Sequence, residues 1–419
     1  MKELKVMVKA WGESSWLGTL ADDGRDILFQ YSNEALARGA EFSPIRLPLR
    51  TLAYPDRQSD YQHLIRLPGL VYDSLPDGWG LRLMNGRLKA KGINPDTVSV
   101  LDRLACLGDN TMGALTYAPG SAELTDGRDL ALVELAHEIQ ALLVDDEREV
   151  LEELARAGGA PGGARPKALV YYHPESGQMS TQAGQVPESQ PWLVKFPAKE
   201  DARDSCALEE LYARLARKCG LGMEPTRFFE LPDGLTAFGT RRFDRQNGQR
   251  VHVHSLAGMM HTNFQIPSLG YGEFMRATRR LTRDHREVKK ALQRCVFNVL
   301  MNNRDDHAKN LAFQLNAHQA WGLAPPFDLT YCPGYRGEHF MDIAGEGKRP
   351  TRAHVLKLGR EGGLKDKEAA DIIDEMLDLI PDVAFRQAAR ELPVLKKTVT
   401  QIAKVIDINR SLLLRPTSN

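Results

Sequence analysis

Three side chains could carry chemistry together: Asp305, Asn310 and Asp328. Asp305 and Asn310 lie in the run Asn302-Asn303-Arg304-Asp305-Asp306-His307-Ala308-Lys309-Asn310, and Asp328 ends Pro325-Pro326-Phe327-Asp328. In this order the set suits phosphoryl transfer. One carboxylate orients an acceptor hydroxyl, while an amide and a second carboxylate bind magnesium. Magnesium takes oxygen ligands, few from protein and the rest from phosphate and water. Either acid alone would read as a solvated loop residue. His307 has no second His or Cys at ligand spacing, so it reads as a structural histidine bonded to nearby backbone and not as a metal ligand.

The elements that must position these residues follow from pattern. Val288, Leu292, Cys295, Val296, Val299 and Leu300 recur at helical spacing and predict a helix buried on one face. The Asn-rich run after it favours a turn. Leu311, Phe313 and Leu315 alternate as a strand, Asn316-Ala317-His318 suits a turn, and Trp321 and Leu323 alternate again. A hairpin returns to its origin, so Asn310 at its entry and Asp328 past its exit can meet on one cation.

Upstream lies a second candidate region. Ala157–Lys167 is glycine-rich, with glycines at 158, 159, 162 and 163, and such backbone can approach phosphate closely. Taken alone it equally suits a flexible linker. Ala168–Tyr172 and Trp192–Phe196 read as strands around a polar loop, and Lys195 is the one charge in the second. An isolated lysine there is often an edge-strand charge. A helix over about Ser205–Cys219 carries Glu209 and Glu210 in its first turns, where carboxylates also suit the helix dipole. Thr226–Leu231 and Leu235–Phe243 flank the turn Pro232-Asp233-Gly234 as two further strands. This succession of elements is that of the small lobe of a protein kinase.

Residues 1–118 read as a strand-rich unit: Leu4 to Val8, Trp16 to Leu20 and Ile27 to Tyr31 alternate, followed by short helices over about Leu81–Lys91 and Leu101–Leu107. Trp79 there reads as a packing residue. A linker, Pro119–Arg128, leads to a helix over about Leu130–Leu143, and the charged stretch Asp145–Glu153 extends it or starts another. After an irregular stretch to about Arg352, helices are predicted over Leu364–Ile380, Val383–Leu392 and Val394–Val405.

Composition narrows the class. The chain has 419 residues, 42% hydrophobic and 26% charged, as in a soluble globular protein of two or three domains. Lys plus Arg and Asp plus Glu are both 55, which argues against a general polyanion binder. The five cysteines show no CxxC or framework spacing and read as reduced thiols. No segment resembles a signal peptide or a membrane span, so a cytoplasmic protein is expected.

Together, Gly162-Gly163-Ala164-Arg165-Pro166-Lys167, Trp192–Pro197, Arg242-Phe243-Asp244-Arg245, Asn303–Asn310 and Phe327-Asp328 resemble the HipA-like serine/threonine kinases. These are toxins of bacterial type II toxin–antitoxin pairs. Leu75-Pro76-Asp77-Gly78-Trp79-Gly80, with Gly108-Asp109 and Gly113-Ala114-Leu115, resembles that family's small N-terminal subdomain. The resemblance implies an α+β, protein-kinase-like fold of two lobes. A β-rich N-terminal subdomain would span 1–118, a small nucleotide lobe 129–244 and an all-helical catalytic lobe 245–419.

By the same resemblance, ATP and magnesium are the cofactors. Asp305 would be the catalytic base, and Asn310 and Asp328 the metal ligands. Gly162, Gly163, Ala164, Arg165, Pro166 and Lys167 would cover the phosphates. Lys195 would contact them too, paired with Glu209. Arg241, Arg242 and Phe243 would line the adenine side, largely through backbone. His307, Ala308 and Lys309 would sit near the phosphates, with Phe327 beside Asp328. The implied partners are a helix-turn-helix antitoxin, through which alone DNA would be contacted, and a protein substrate such as the glutamate–tRNA ligase. One departure matters. Family members can silence themselves by phosphorylating a serine in the glycine loop, whereas residues 157–167 hold no Ser or Thr and Ala160 stands near that serine's place. Two other readings share these residues: a small-molecule kinase, and a pseudokinase that only binds its antitoxin.

Overall fold

In the computed structural model of the chain, the described residues are 2–55, 61–120, 129–145, 150–159, 162–381 and 383–414. Most of the linker expected at Pro119–Arg128, part of the stretch Asp145–Glu153, and Ala160 with Pro161 lie outside them. The chain forms two compact units, Met1–Cys206 with Pro225–His254, and Ala207–Glu224 with Ser255–Asn419.

The first unit begins with an antiparallel sheet, β1 (Glu3–Ala10), β2 (Glu13–Asp22), β3 (Ile27–Tyr31) and β4 (Leu115–Ala118), in the order β3-β2-β1-β4. Leu4, Val6, Val8 and Ala10 are buried while Glu3 and Lys5 are exposed, the period-two pattern of a sheet with one wet face. Helices α1 (Asn33–Arg38), α2 (Gly69–Tyr72), α3 (Gly78–Ala90) and α4 (Val100–Leu107) lie between β3 and β4 in sequence. Ser99 caps α4 by accepting from the N–H of Asp102.

The second sheet of this unit contains β5 (Lys167–Tyr172), β6 (Met179–Ser180), β7 (Gln190–Lys195), β8 (Thr226–Glu230) and β9 (Thr236–Arg241), in the order β6-β5-β7-β9-β8. β7 is therefore central, and the edge-strand reading of Lys195 does not apply. Helices α5 (Leu132–Val144) and α6 (Glu152–Gly158) precede the sheet. Leu83 of α3, Leu135 and Ile139 of α5 and Leu154 of α6 share one core with Val170, Trp192 and Val194 of the strands. The charged stretch thus leads into a separate helix, α6, which takes up Ala157 and Gly158 of the expected glycine loop. Gly158 is buried at its end, where a Cβ would meet Leu83 Cδ1 at 2.6 Å and the Lys167 carbonyl at 2.7 Å. That glycine serves close packing and is not part of a phosphate cradle.

A small hairpin, β10 (Arg245–Gln246) and β11 (Gln249–Arg250), leads to β12 (His252–Ser255). His254 bridges Asp73 (2.7 Å) and Ser43 (3.0 Å). This is the connectivity of a nucleophilic triad, but Ser43 is fully buried. The network fastens the Ser43 segment and the end of α2 to β12.

The second unit takes in most of α7 (Ser205–Lys218), then α8 (Leu256–Met260), α9 (Tyr271–Thr282) and α10 (His285–Met301). It continues with β13 (Ala312–Leu315), β14 (Trp321–Leu323), α11 (Arg352–Gly362), α12 (Asp366–Leu379), α13 (Ala384–Ala388) and α14 (Lys396–Leu414). α10 is its centre and packs against α9, α11, α12 and α14. The expectation of an all-helical lobe is corrected by the β13–β14 hairpin. α11 forms where no helix was expected, because its packing face includes Gly359, where a Cβ would meet that of Ala369 at 2.8 Å. The last helix runs on to Leu414, and Val383–Leu392 yields only the short α13 and a 3₁₀ turn. No helix among the described residues is long and apolar enough to cross a membrane.

Candidate active site

α10 stops where the sequence turns to asparagine. Asn302 takes a left-handed conformation (φ 54°, ψ 41°), which Asn tolerates better than most residues. The Asn303 N–H returns to the Asn298 carbonyl (2.9 Å), closing the helix end. The loop that follows is held from several sides. The N–H groups of Leu256 and Ala257 at the start of α8 donate to the carbonyls of Leu311 (2.7 Å) and Ala308 (3.1 Å). Asn302 donates to Cys332 O (2.9 Å), and the Arg304 guanidinium donates to the carbonyls of Gly337 and Lys348.

The two adjacent carboxylates have opposite surroundings. Asp306 is 1% exposed. Its Oδ2 accepts from Tyr271 OH (2.9 Å) and meets His339 Nδ1 (2.8 Å), and its Oδ1 accepts from the Phe340 N–H (2.8 Å). Asn298 donates to Tyr271 OH (2.8 Å) and accepts from Asn303 (3.1 Å), which extends the network into α10. Burial, with Asp306 beside it, pushes the Tyr271 hydroxyl well above its usual range. Asp305 points the other way, with its side chain 56% exposed. The loop therefore buries one acid to present its neighbour.

Asn310 clasps this loop: its Nδ2 donates to the Asp305 carbonyl (2.9 Å), which turns Oδ1 away as an acceptor. The hairpin forms as its pattern implies, with Phe313 opposite Leu323 and Leu315 opposite Trp321. Asn316 closes the turn by accepting from the N–H groups of His318 and Ala320. The chain then returns, and Asn310, Pro326 and Phe327 line one small pocket with Asp306. Asp328 follows at once in a left-handed conformation (φ 57°). In the second unit Asn310 is thus bonded to the Asp305 backbone and lines a pocket with Phe327, the residue before Asp328. One amide and one carboxylate fit magnesium that takes its remaining ligands from phosphate and water. Among the described residues, no group of three or more His, Cys, Asp or Glu could hold a metal ion unaided.

His307 does not make the backbone bond expected of it. Its ring packs between Phe264 (5.4 Å) and Phe340 (5.8 Å), its Nε2 lies 3.8 Å from Asp305 Oδ1, and its Nδ1 is buried without a hydrogen-bond partner. Ala308 is buried, and the Lys309 ammonium sits over the Phe264 ring at 4.7 Å. Glu209 is buried in α7, and its neighbour Glu210 pairs with Arg214 (2.7 Å).

The residues expected to cover the phosphates, with Lys195, fall in the first unit. β5 and β7 pair in a register that sets Lys167 opposite Lys195. Cross-strand partners share a face of the sheet, so two lysines, 5% and 8% exposed, stand together beside the end of the glycine loop. The Lys167 ammonium donates to the Gly162 carbonyl, which ties this pair to the glycine loop. Gly162, Gly163, Ala164, Arg165 and Pro166 form the loop proper. Gly163 has φ 102°, and a Cβ there would strike the Lys167 ammonium. Asp77 accepts from the Gly163 N–H, and the Trp79 N–H donates to the Gly163 carbonyl (3.1 Å). Gly78 (φ 44°) is a glycine because a Cβ would meet Ala164 Cα at 2.7 Å. Arg165 ties the loop to Asp201 (3.0 Å).

At the end of β9 stand the residues expected beside adenine, Arg241, Arg242 and Phe243. The N–H groups of Arg241 and Arg242 donate to the carbonyls of Pro225 and Pro191, both at 2.9 Å. The Arg242 side chain forks onto buried Asp244 (2.9 and 2.8 Å), which also takes Arg245 and the Gly113 N–H (both 2.7 Å). Burial would raise the Asp244 carboxyl, but Arg242, Arg245 and the Gly113 bond together hold it well below the usual carboxylate range. This fork leaves Arg242 a structural role, and Phe243 half-buried between the paired residues.

Sequence reasoning missed three features. The partners of Asp306 are remote in sequence, the tether from Asp77 to Gly163 spans distant residues, and the Lys167–Lys195 pairing needs the strand register. The adjacent acids at 305 and 306 were the one available signal that one would be buried.

Residues 159–384 match the model of the HipA-like C-terminal domain, and residues 8–118 that of the HipA N-terminal domain. No curated protein matches the chain. Among solved structures it is similar to the Shewanella oneidensis MR-1 toxin–antitoxin protein HipA in its complex with HipB and operator DNA. The TM-score is 0.72 at 17% identity, over 98% of this chain and 97% of that one. A second match is the Helicobacter pylori proinflammatory kinase CtkA, at TM-score 0.41 and 13% identity, over 54% of this chain and 86% of that one.

Proposed function

The chain belongs to the HipA family, and from that premise we propose that it is a magnesium- and ATP-dependent serine/threonine protein kinase acting as a toxin. What supports the reading is that Asn310 is bonded to the backbone of exposed Asp305 and lines a pocket with Phe327, the residue before Asp328.

Each residue then has a task. Asp305 accepts or orients the proton of the acceptor hydroxyl. Asn310 Oδ1 and the Asp328 carboxylate hold magnesium, which when bound neutralises charge developing on the phosphates. Lys167 and Lys195 draw the nucleotide phosphates to the first unit, where Gly162, Ala164 and Arg165 supply the flexible backbone around them. The buried Asp306 network fixes Asp305 in place before substrate arrives, so that little ordering cost falls on the reaction itself.

The partner is a DNA-binding antitoxin, a reading supported by the HipB and operator DNA in the relative's complex. With a net charge of zero, this chain reaches DNA through that partner and not by itself. The substrate is a component of translation such as the glutamate–tRNA ligase.

Adding labelled ATP to cell lysate with the wild-type chain or with Asp305→Ala tests the reading. A protein band labelled only when Asp305 is intact supports it. Label confined to small molecules would instead indicate a small-molecule kinase, and no label at all a pseudokinase.

A further inference from the structure

Arg304 adjoins Asp305 but has no task in the chemistry proposed above. Among the described residues its guanidinium meets carbonyls and no carboxylate. Nη1 donates to Gly337 O and to Pro333 O (3.4 Å), and Nη2 donates to Lys348 O (2.9 Å). Gly337 and Lys348 are the two ends of one loop. At its neck the His339 N–H donates to the Gly347 carbonyl (2.8 Å), and Lys348 pairs with Glu338 (3.4 Å). Ile343 and Glu346 bridge near its tip, and the side chains of Met341 and Ile343 are buried. A loop with its ends together and packed by its own side chains is an Ω-loop. Room for Arg304 beside the neck comes from Gly334 (φ 72°), where a Cβ would lie 2.9 Å from that of Arg304.

We propose that Arg304 is a positioning residue for Asp305, acting as a staple across the neck of the 337–348 loop. The loop supplies the groups that fix the acids. His339 and the Phe340 N–H hold Asp306, and the Phe340 ring packs on His307, whose Nε2 lies 3.8 Å from Asp305 Oδ1. Arg304 therefore closes the loop that sets residues 305 to 307, its own neighbours in the chain. The far part of the loop is held separately, because the Tyr271 N–H donates to Asp342 O (2.9 Å) and Lys357 to Ala344 O (3.2 Å). Loss of Arg304 thus loosens the neck without detaching the loop. A planar guanidinium suits the task, since its fork spans two carbonyls at once, whereas a lysine ammonium is a compact point charge. The staple stands without the kinase reading, whereas its consequence for Asp305 rests on it.

The test compares the full chain with Arg304→Ala and Arg304→Lys, and with Tyr335→Ala as a control at an 82% exposed position of the same segment. Three quantities are read: hydrolysis of ATP to water, the KM for ATP, and hydrogen exchange at 338–348. Both Arg304 variants are expected to lose about 100-fold in kcat, the scale of a small misplacement of a catalytic group, with the KM for ATP unchanged. The amides of His339 and Phe340 should exchange about tenfold faster, the scale of one lost charge-assisted contact. Millimolar guanidinium should restore kcat to Arg304→Ala, and Tyr335→Ala should match the wild type throughout. Arg304→Lys keeps the charge and most of the stem, so the test stays decisive should Arg304→Ala fold poorly. A wild-type kcat in Arg304→Lys, or a lower unfolding midpoint with kcat intact, would overturn the positioning role. Unchanged exchange at 338–348 would overturn the staple, and an equal loss in Tyr335→Ala would overturn its assignment to Arg304. A wild-type chain that turns over no ATP would remove the kinase reading, and the exchange rates alone would then decide the staple.

Discussion

Replacing Asp305 or its neighbour Asp306 should have opposite consequences. Asp306 is 1% exposed and joins Tyr271, His339 and the Phe340 N–H. Asp306→Ala strands these partners where water does not reach them, and an unsatisfied buried group costs about 1–3 kcal/mol. Allowing for relaxation, the loss should be about 3–5 kcal/mol, as when one partner of a buried pair is removed. Against a typical stability of about 5–15 kcal/mol this is a large fraction. Asp305→Ala removes a side chain that is 56% exposed, and such surface changes stay within about 0.5 kcal/mol. Its effect belongs to the chemistry, where loss of a positioned base costs about 10²–10⁴-fold in rate. Urea unfolding followed by far-UV circular dichroism, beside phosphoryl transfer from labelled ATP, measures both. An Asp306→Ala protein as stable as wild type, or an Asp305→Ala protein equally destabilised, would refute the division of labour between the two acids.

Asp328→Asn should abolish transfer with little change in unfolding midpoint, because Asn also tolerates the left-handed backbone at φ 57°. Asp328→Ala should lose the same activity and about 1 kcal/mol besides, read by the same urea titration. Gly78→Ala forces a Cβ onto Ala164 Cα at 2.7 Å; it should cost about 1–3 kcal/mol and weaken ATP binding, checked by melting and by calorimetry. Asp244 has a depressed folded pKa, so its contribution is full above the unfolded carboxylate value and is lost as pH falls. The stability difference between wild type and Asp244→Asn should be constant above about pH 5 and shrink below about pH 4. A difference that grew on acidification would contradict that ion-pair assignment.

Local pattern carried much of this structure. The spacing of Val288 to Leu300 marked α10, and the alternation through Leu311, Phe313 and Leu315 marked the hairpin. Both signals are short-range and belong to elements with one buried face. What failed depended on tertiary contact. Gly158 and Gly159 resemble loop glycines, yet Gly158 exists for its approach to Leu83 and Lys167. α11 contains Gly359 and Gly362 and looks a poor helix until its neighbours are known. Lys195 looked like an edge charge because strand order is not local information. Asp306 is held by Tyr271 and His339, which no periodicity connects to it. The fork of Arg242 onto Asp244, two residues on, needs the fold of the chain after β9 and has no periodicity to announce it.

The central proposal is that the chain binds ATP together with magnesium, Lys195 acting on the nucleotide and Asp328 on the metal. Isothermal titration of ATP, with and without magnesium, into wild type, Lys195→Met and Asp328→Asn tests it most directly. ATP should bind wild type more tightly with magnesium, Lys195→Met should lose affinity in either condition, and Asp328→Asn should lose only the magnesium-dependent part. Binding that ignores magnesium, or that survives both substitutions unchanged, would contradict the account.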